Sequence, residues 1–169
     1  MSSNSRKALI GLAALLALSA CSDGSSDQSA ESAAYYMEQN GRQDGVETLP
    51  SGVQYRVVRA GSPDGIQPDS NDLVMVNYEG ALTDGTVFDS SYQRGQPAAM
   101  SLDRLIPAWQ EAIPHMRVGD EWTLWVPPSQ AYGEEGDGPI PPHSVLVFRI
   151  ELLDVAPVSG GTPAGATAG

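Results

Sequence analysis

An α+β domain, with about five antiparallel strands covered on their apolar face by one short helix, is predicted by three features of this 169-residue chain. Alternating runs such as Val53–Arg59, Leu73–Gly80 and Trp122–Val126 set apolar side chains on one face of a sheet. Asp84-Gly85 separates two runs as a tight turn, because glycine accepts the positive φ that hairpin turns require. Ile106, Trp109 and Ile113 recur at helical spacing; Pro107 suits the first helical position and Pro114 ends the helix within a few residues. The sheet has to bury its apolar face, and this helix is the cover.

The ends of the chain read differently. Met1 to Cys21 has the pattern of a secretory signal, with Arg6-Lys7 as a positive start and Ala8–Leu18 as an apolar run too short to span a bilayer with ease. It closes on Leu18-Ser19-Ala20-Cys21, which resembles the bacterial lipobox, so residues 1–20 are expected to be removed and Cys21 to carry lipid. A lone cysteine has no partner for an internal disulfide, and lipid attachment gives it a use. Residues 21–45 read as a tether: Ser22–Ser32 has little to bury, and Ala33–Glu38 offers two helical turns before Asn40-Gly41 stops them. The domain itself is placed at 46–155, and residues 156–169, rich in Gly, Ala, Pro and Thr, are expected to be a disordered tail.

Within the domain, Val53–Arg59 is the first strand and Gly61–Ser70 a loop of Gly, Pro and Asp. Leu73–Gly80 and Val87-Phe88 make the central hairpin, and Gln96–Leu102 is a weak edge strand, since proline cannot donate to a ladder. Trp122, Leu124 and Val126 face one way until Pro127-Pro128 stops the strand. Pro139-Ile140-Pro141-Pro142 is a stiff loop, and Ser144–Val155 the last strand. Formal net charge is −12 with a pI near 4.3. The one lysine is Lys7, inside the signal. This balance excludes nucleic acid as a partner, because phosphate binding needs clustered cations.

The stretch Val76-Asn77-Tyr78-Glu79-Gly80-Ala81-Leu82-Thr83-Asp84-Gly85-Thr86-Val87-Phe88-Asp89-Ser90-Ser91 resembles, without a gap, the signature of the FKBP-type peptidyl-prolyl isomerases, the tacrolimus-binding immunophilins. Leu105-Ile106-Pro107-Ala108-Trp109 is similar to a second block of that family. Ala131-Tyr132-Gly133 through Ile140-Pro141-Pro142 is similar to a third, and Leu146–Leu153 to its closing strand. Together these blocks cover roughly Val53 to Val155, in family order. The resemblance implies a curved antiparallel sheet wrapped on one helix, with a ligand pocket between them. Gly45-Val46-Glu47-Thr48-Leu49-Pro50-Ser51-Gly52-Val53-Gln54-Tyr55 also resembles the bacterial branch of the macrophage infectivity potentiators. Those relatives carry a long dimerising helix, for which the space between Cys21 and Val53 is too short, so a monomer is expected.

Prolyl isomerisation breaks no covalent bond. Its barrier of about 18–20 kcal/mol is amide resonance lost on twisting the C–N bond. A catalyst therefore needs a dry slot for the pyrrolidine ring and polar groups that fit the twisted amide better than the planar one; no cofactor and no metal is called for. By resemblance the slot is Tyr78, Phe88, Leu105, Ile106, Trp109, Tyr132 and Phe148, with Trp109 as its floor and Met100 as a softer wall where relatives usually have Phe. Asp89 and Tyr132 are the polar pair, Tyr132 donating to a substrate carbonyl. Ile140 is implied to meet the substrate, with its N–H as a donor, and Arg94 to hold Asp89 ionised.

Read from pattern alone, alternating aromatics are core and Asp89 before Ser90-Ser91 is a turn or cap residue; the resemblance favours the pocket. Ala108 and Ala112 stand where the family has glycine, and the loop around Pro139 is about one residue short. The implied function is folding assistance in the envelope of a Gram-negative bacterium, with proline-containing polypeptides as substrates and tacrolimus- or rapamycin-like macrolides as inhibitors. Ser22 after Cys21 implies outer-membrane sorting by the rule for lipoproteins; a periplasm-facing domain is expected, though Ser22 itself does not set the side. The rival is a non-catalytic holdase that keeps the fold and has lost turnover.

Overall fold

A computed structural model describes residues 24–161. Its strands are β1 (Glu47–Thr48), β2 (Gln54–Arg59), β3 (Leu73–Leu82), β4 (Val87–Ser90), β5 (Ala98–Ser101), β6 (Glu121–Val126) and β7 (Leu146–Ala156). Its α-helices are α1 (Gly24–Asn40), α2 (Ser91–Arg94) and α3 (Pro107–Ala112). All seven strands join one antiparallel sheet in the order β1-β2-β6-β7-β3-β4, with β5 also paired to β3. The count exceeds the expected five or so, because a two-residue strand such as β1 has no alternation to read.

β3 is the axis of the sheet. Its first half pairs β5 on one side, its second half pairs β4, and β7 lines the other side along its whole length. Val74, Val76 and Tyr78 point to the face that α3 covers, joined there by Leu124 and Val126 of β6 and by Leu146, Phe148, Ile150 and Leu152 of β7. Each such side chain contributes about 1.5–3 kcal/mol on burial. Pro107 opens α3 at a position where its missing N–H costs nothing, and the helix runs on through a 3-10 turn, Ile113–His115, that contains Pro114. Ala108 and Ala112 are fully buried, so this face of the helix lies flat on the sheet.

The hairpin joining β3 to β4 differs from a two-residue primed turn. Only Gly85 takes a positive φ, +88°, while Leu82 N–H donates to Thr86 O at 2.9 Å, giving a three-residue loop with glycine in the left-handed position. Pairing then slips by one. Gly80 faces Asp89 but Ala81 faces Val87, which leaves Phe88 as the extra residue of a bulge.

The opposite face of the sheet is partly covered too. α1 has 17 residues, beginning nine before the two turns expected at Ala33, and the stretch read as a solvated tether is helical from Gly24. Ala33 and Met37 are buried against Trp125 and Val145 in a second, smaller core. Gln54 fastens the end of α1: its Nε2 donates to Met37 O at 2.8 Å, and its Oε1 accepts from Asn40 Nδ2 at 2.9 Å. Trp125 alternates away from Trp122 and Leu124, and its burial follows from this helix.

The remaining outer face carries a charged cluster, beside exposed Leu73 and Met75. Register sets Glu121 opposite Glu151, and Arg59 and Arg149 sit between these carboxylates, Arg59 reaching both and Arg149 bonding Glu121 at 2.5 Å. At the end of the domain Val158 N–H donates to Asp72 Oδ1 at 2.6 Å, so the first residues after β7 are tied down rather than loose. The signal segment, Cys21 and residues 162–169 lie outside the described residues.

Candidate active site

Phe88, Tyr78, Trp109 and Phe148 converge where α3 crosses the sheet. Gly80 makes this convergence possible, since a Cβ there would lie 2.7 Å from both the Phe148 and Phe88 rings. The bulge turns Phe88 inward onto that gap. The four rings meet edge to face: Tyr78–Trp109 at 5.2 Å, Trp109–Phe148 at 5.3 Å and Phe88–Phe148 at 5.7 Å, all within a few degrees of perpendicular. Such contacts add to plain burial and fix each ring against its neighbour.

They leave a cavity of about 210 Å³. Trp109, 4% exposed, belongs to both the cavity and the core. Met100 from the end of β5, Leu105 and Ile106 from the approach to α3, and Tyr132 from the loop after β6 complete the walls, with Asp89 at the rim. The space suits a single small ring with its flanking amide, below the ~300–1,000 Å³ of drug-sized sites.

The polar edge is built by β4 and α2. Ser90 caps α2, its Oγ accepting from Gln93 N–H, so the cap falls to Ser90 rather than to Asp89. Gly95, at φ +72°, ends the helix after one turn, and that turn carries Arg94 back over Asp89. Arg94 Nη1 pairs with Asp89 Oδ1, Tyr78 Oη donates to Asp89 Oδ2, and Arg94 Nη2 donates to Tyr78 Oη at 2.9 Å. Burial alone would push the Asp89 carboxyl up, but the bonds from Tyr78 and Arg94 together outweigh it and hold it below the usual carboxylate range. The Tyr78 hydroxyl is pushed up, first by burial and then by Asp89. Tyr132 is likewise raised by burial, with Asp137 and Asp89 adding to it.

Tyr132 is placed by a loop that folds back on itself. Gly136 N–H donates to Tyr132 O at 3.1 Å, and a Cβ at Gly136 would strike Ile140 O at 2.2 Å, so only glycine fits. The Tyr132 hydroxyl makes no hydrogen bond among the described residues.

Of the residues singled out from sequence, Tyr78, Phe88, Asp89, Met100, Leu105, Ile106, Trp109, Tyr132 and Phe148 line one cavity, and Arg94 stands behind Asp89. Ile140 does not join them. It is buried in the core, and its N–H, expected to meet a substrate, donates to Asp137 O at 2.8 Å inside the turn. A stiff Pro-rich loop closes on itself through that bond, which removes the donor. Ile106 N–H, in contrast, donates to no group among the described residues. Two features escaped the sequence: the Tyr78 hydroxyl belongs to the polar set, and Arg104 lines the cavity. Parity gave the face of Tyr78 but not the reach of its hydroxyl to β4.

Fold and cavity define a sheet-on-helix domain with a small aromatic cavity beside an ionised carboxylate. Residues 65–153 match the family model described as FKBP-type peptidyl-prolyl cis-trans isomerase, and residues 13–57 match the domain amino terminal to it. Over 127 residues the chain is 48% identical to the peptidyl-prolyl cis-trans isomerase Mip of Coxiella burnetii, covering 75% of this chain and 54% of that protein. It is 48% identical over 121 residues to the FKBP-type 22 kDa peptidyl-prolyl cis-trans isomerase of Escherichia coli, covering 71% and 58%. The chain spans about half the length of the curated relatives it matches. Among solved structures, a peptidyl-prolyl cis-trans isomerase from Pseudomonas syringae superposes with a TM-score of 0.74 at 36% identity, over 80% of this chain and 99% of that one. FkpA from Escherichia coli superposes with a TM-score of 0.73 at 42% identity, over 78% and 61%. The chain belongs to the FKBP-type peptidyl-prolyl cis-trans isomerase family.

Proposed function

We propose that this chain catalyses cis/trans isomerisation of X-Pro bonds in polypeptides of the bacterial cell envelope. The observation that supports it most directly is the aromatic cavity of about 210 Å³, floored by Trp109 and edged by Asp89. The pyrrolidine ring enters between Tyr78, Phe88, Trp109 and Phe148, where water is excluded. A planar amide is more dipolar than a twisted one, so moving it into a dry slot favours the twisted form. Asp89, kept ionised by Tyr78 and Arg94, presents its charge at the rim, where the twisting amide rearranges its own. Tyr132 Oη and Ile106 N–H, both without partners among the described residues, are the donors available to substrate carbonyls. Proton transfer and covalent intermediates have no part in it.

The finer reading is a lipoprotein held at the outer membrane through Cys21, facing the periplasm, monomeric, and inhibited by tacrolimus-like macrolides. It draws support from the lipobox and from a relative in Legionella longbeachae named outer membrane protein MIP. The test is a protease-free assay of Leu-Pro isomerisation, with and without tacrolimus. A folded sample that matches the buffer blank leaves a binding module without turnover. Cys21→Ser is expected to release the protein from the membrane fraction or leave it unprocessed. Light scattering is expected to return one chain mass at micromolar concentration, and twice that mass would mean that α1 or another surface dimerises.

A further inference from the structure

We propose that Arg104 is a specificity-determining residue, its guanidinium at the cavity rim selecting substrates with an acidic side chain next to the proline. This rests on the isomerase reading. Seven arginines lie among the described residues. Arg42, Arg59, Arg94 and Arg149 are in ion pairs, Arg117 donates to Gly65 O, and Arg56 lies over the Trp125 ring. Of the seven arginines among the described residues, Arg104 alone has no side-chain ion pair, hydrogen bond or ring contact, and it lines the cavity. In a chain with 21 carboxylates and 9 cations, an unpaired arginine beside the slot stands out against the general pairing.

Its position follows from the local fold. Leu102 is fully buried and opens a 3-10 turn, Leu102–Arg104, that leads directly into Leu105 on the cavity wall. Buried Leu102 and wall-forming Leu105 bracket the turn, so Arg104 stands exposed at the lip. The acid next to it in sequence, Asp103, is turned to Ser101, whose Oγ donates to its Oδ1 at 2.5 Å. Asp89, the other acid at the rim, is taken by Arg94 and Tyr78. A peptide carboxylate is the partner the rim lacks, and a guanidinium binds one with two parallel donors.

The preference is positional. Glu134, Glu135 and Asp137 on the loop after Tyr132 carry the opposite sign, and the net charge of −12 repels acidic peptides at long range. At about 0.15 M salt, distant charges beyond ~8 Å are screened and a contact pair is retained. An exposed ion pair then changes catalytic efficiency by about two- to fivefold.

The experiment uses peptides with one proline and Glu, Leu or Lys either immediately before or immediately after it. Catalytic efficiency and calorimetric dissociation constants are measured for the wild type, Arg104→Met and Arg104→Glu, each confirmed folded by circular dichroism. At one of the two positions the Glu-to-Lys ratio is expected to be about two to five in the wild type, near one in Arg104→Met and inverted in Arg104→Glu, with the change carried in KM. A ratio that stays the same in all three proteins at both positions overturns the role of Arg104. Turnover of the Leu peptides with such a flat ranking leaves the isomerase reading intact. A Glu-over-Lys preference in binding that Arg104→Met removes and Arg104→Glu inverts, without turnover of any peptide, upholds Arg104 and rejects the isomerase reading.

Discussion

At the residue scale the cavity separates two contributions that are usually merged, exclusion of water and a directed hydrogen bond. Trp109→Leu removes the floor while keeping apolar volume, and Tyr132→Phe removes one hydroxyl from a ring that stays. A neutral hydrogen bond is worth about 0.5–1.5 kcal/mol, so Tyr132→Phe is expected to cost roughly threefold to tenfold in catalytic efficiency. Trp109→Leu is expected to cost more. If Tyr132→Phe abolishes turnover of a Leu-Pro peptide while Trp109→Leu keeps most of it, the hydrogen bond is the dominant effect. Gly80→Ala probes the same slot from behind. Its Cβ meets two aromatic rings at 2.7 Å, so the variant should lose about 1–3 kcal/mol in a denaturant titration and weaken peptide binding. Unchanged stability would show that Phe88 and Phe148 move aside freely. Most of this site was legible from the signature around Phe88-Asp89. That Ile140 N–H bonds within its own turn is not legible, because residue order does not reveal which loop N–H groups are already bonded, and Arg104 is not legible because a charged residue before an apolar pair reads as surface.

At the element scale, short two-sided packing was the hardest thing to read. β3, β6, β7 and α3 announce themselves through alternation, helical spacing and proline, and they lie where those patterns put them. α1 is longer than its sequence suggests, since Ser and Asp through its first half give no apolar stripe and its docking rests on Ala33, Tyr36 and Met37 with Asn40 bonded to Gln54. The helix is held by tertiary contacts that propensity cannot report. Met37→Ala should therefore cost about 2 kcal/mol or more, expose Trp125 and abolish amide protection across residues 30–40. Catalytic efficiency should be unchanged, because the cavity opens on the other face of the sheet. A parallel fall in turnover would show that the two faces are coupled through β6 and β7.

At the scale of the whole molecule, the ionised groups at the site predict a flat pH profile. The Asp89 carboxyl is held below its ordinary value, so its stabilising contribution is complete above about pH 4 and fades as pH falls through the lower folded value. Tyr78 and Tyr132 are raised, which keeps both hydroxyls protonated beyond pH 10. Catalytic efficiency is expected to be level between about pH 5 and 9 and to decline only in acid. A bend near neutrality would mean that a group other than Asp89, Tyr78 and Tyr132 controls turnover. The sheet order carries a separate consequence, for the timing of synthesis. β7 is the last strand made, yet it lies between β6 and β3, pairing with β3 along its whole length and with β6 over residues 146–151. Until residue 156 has emerged, the growing chain holds two unjoined pieces, β1-β2-β6 and β3-β4-β5, each exposing an open edge to its neighbours. The sheet can then close only after translation of the domain is complete, and a chain truncated before Leu146 would be left as a template for aggregation.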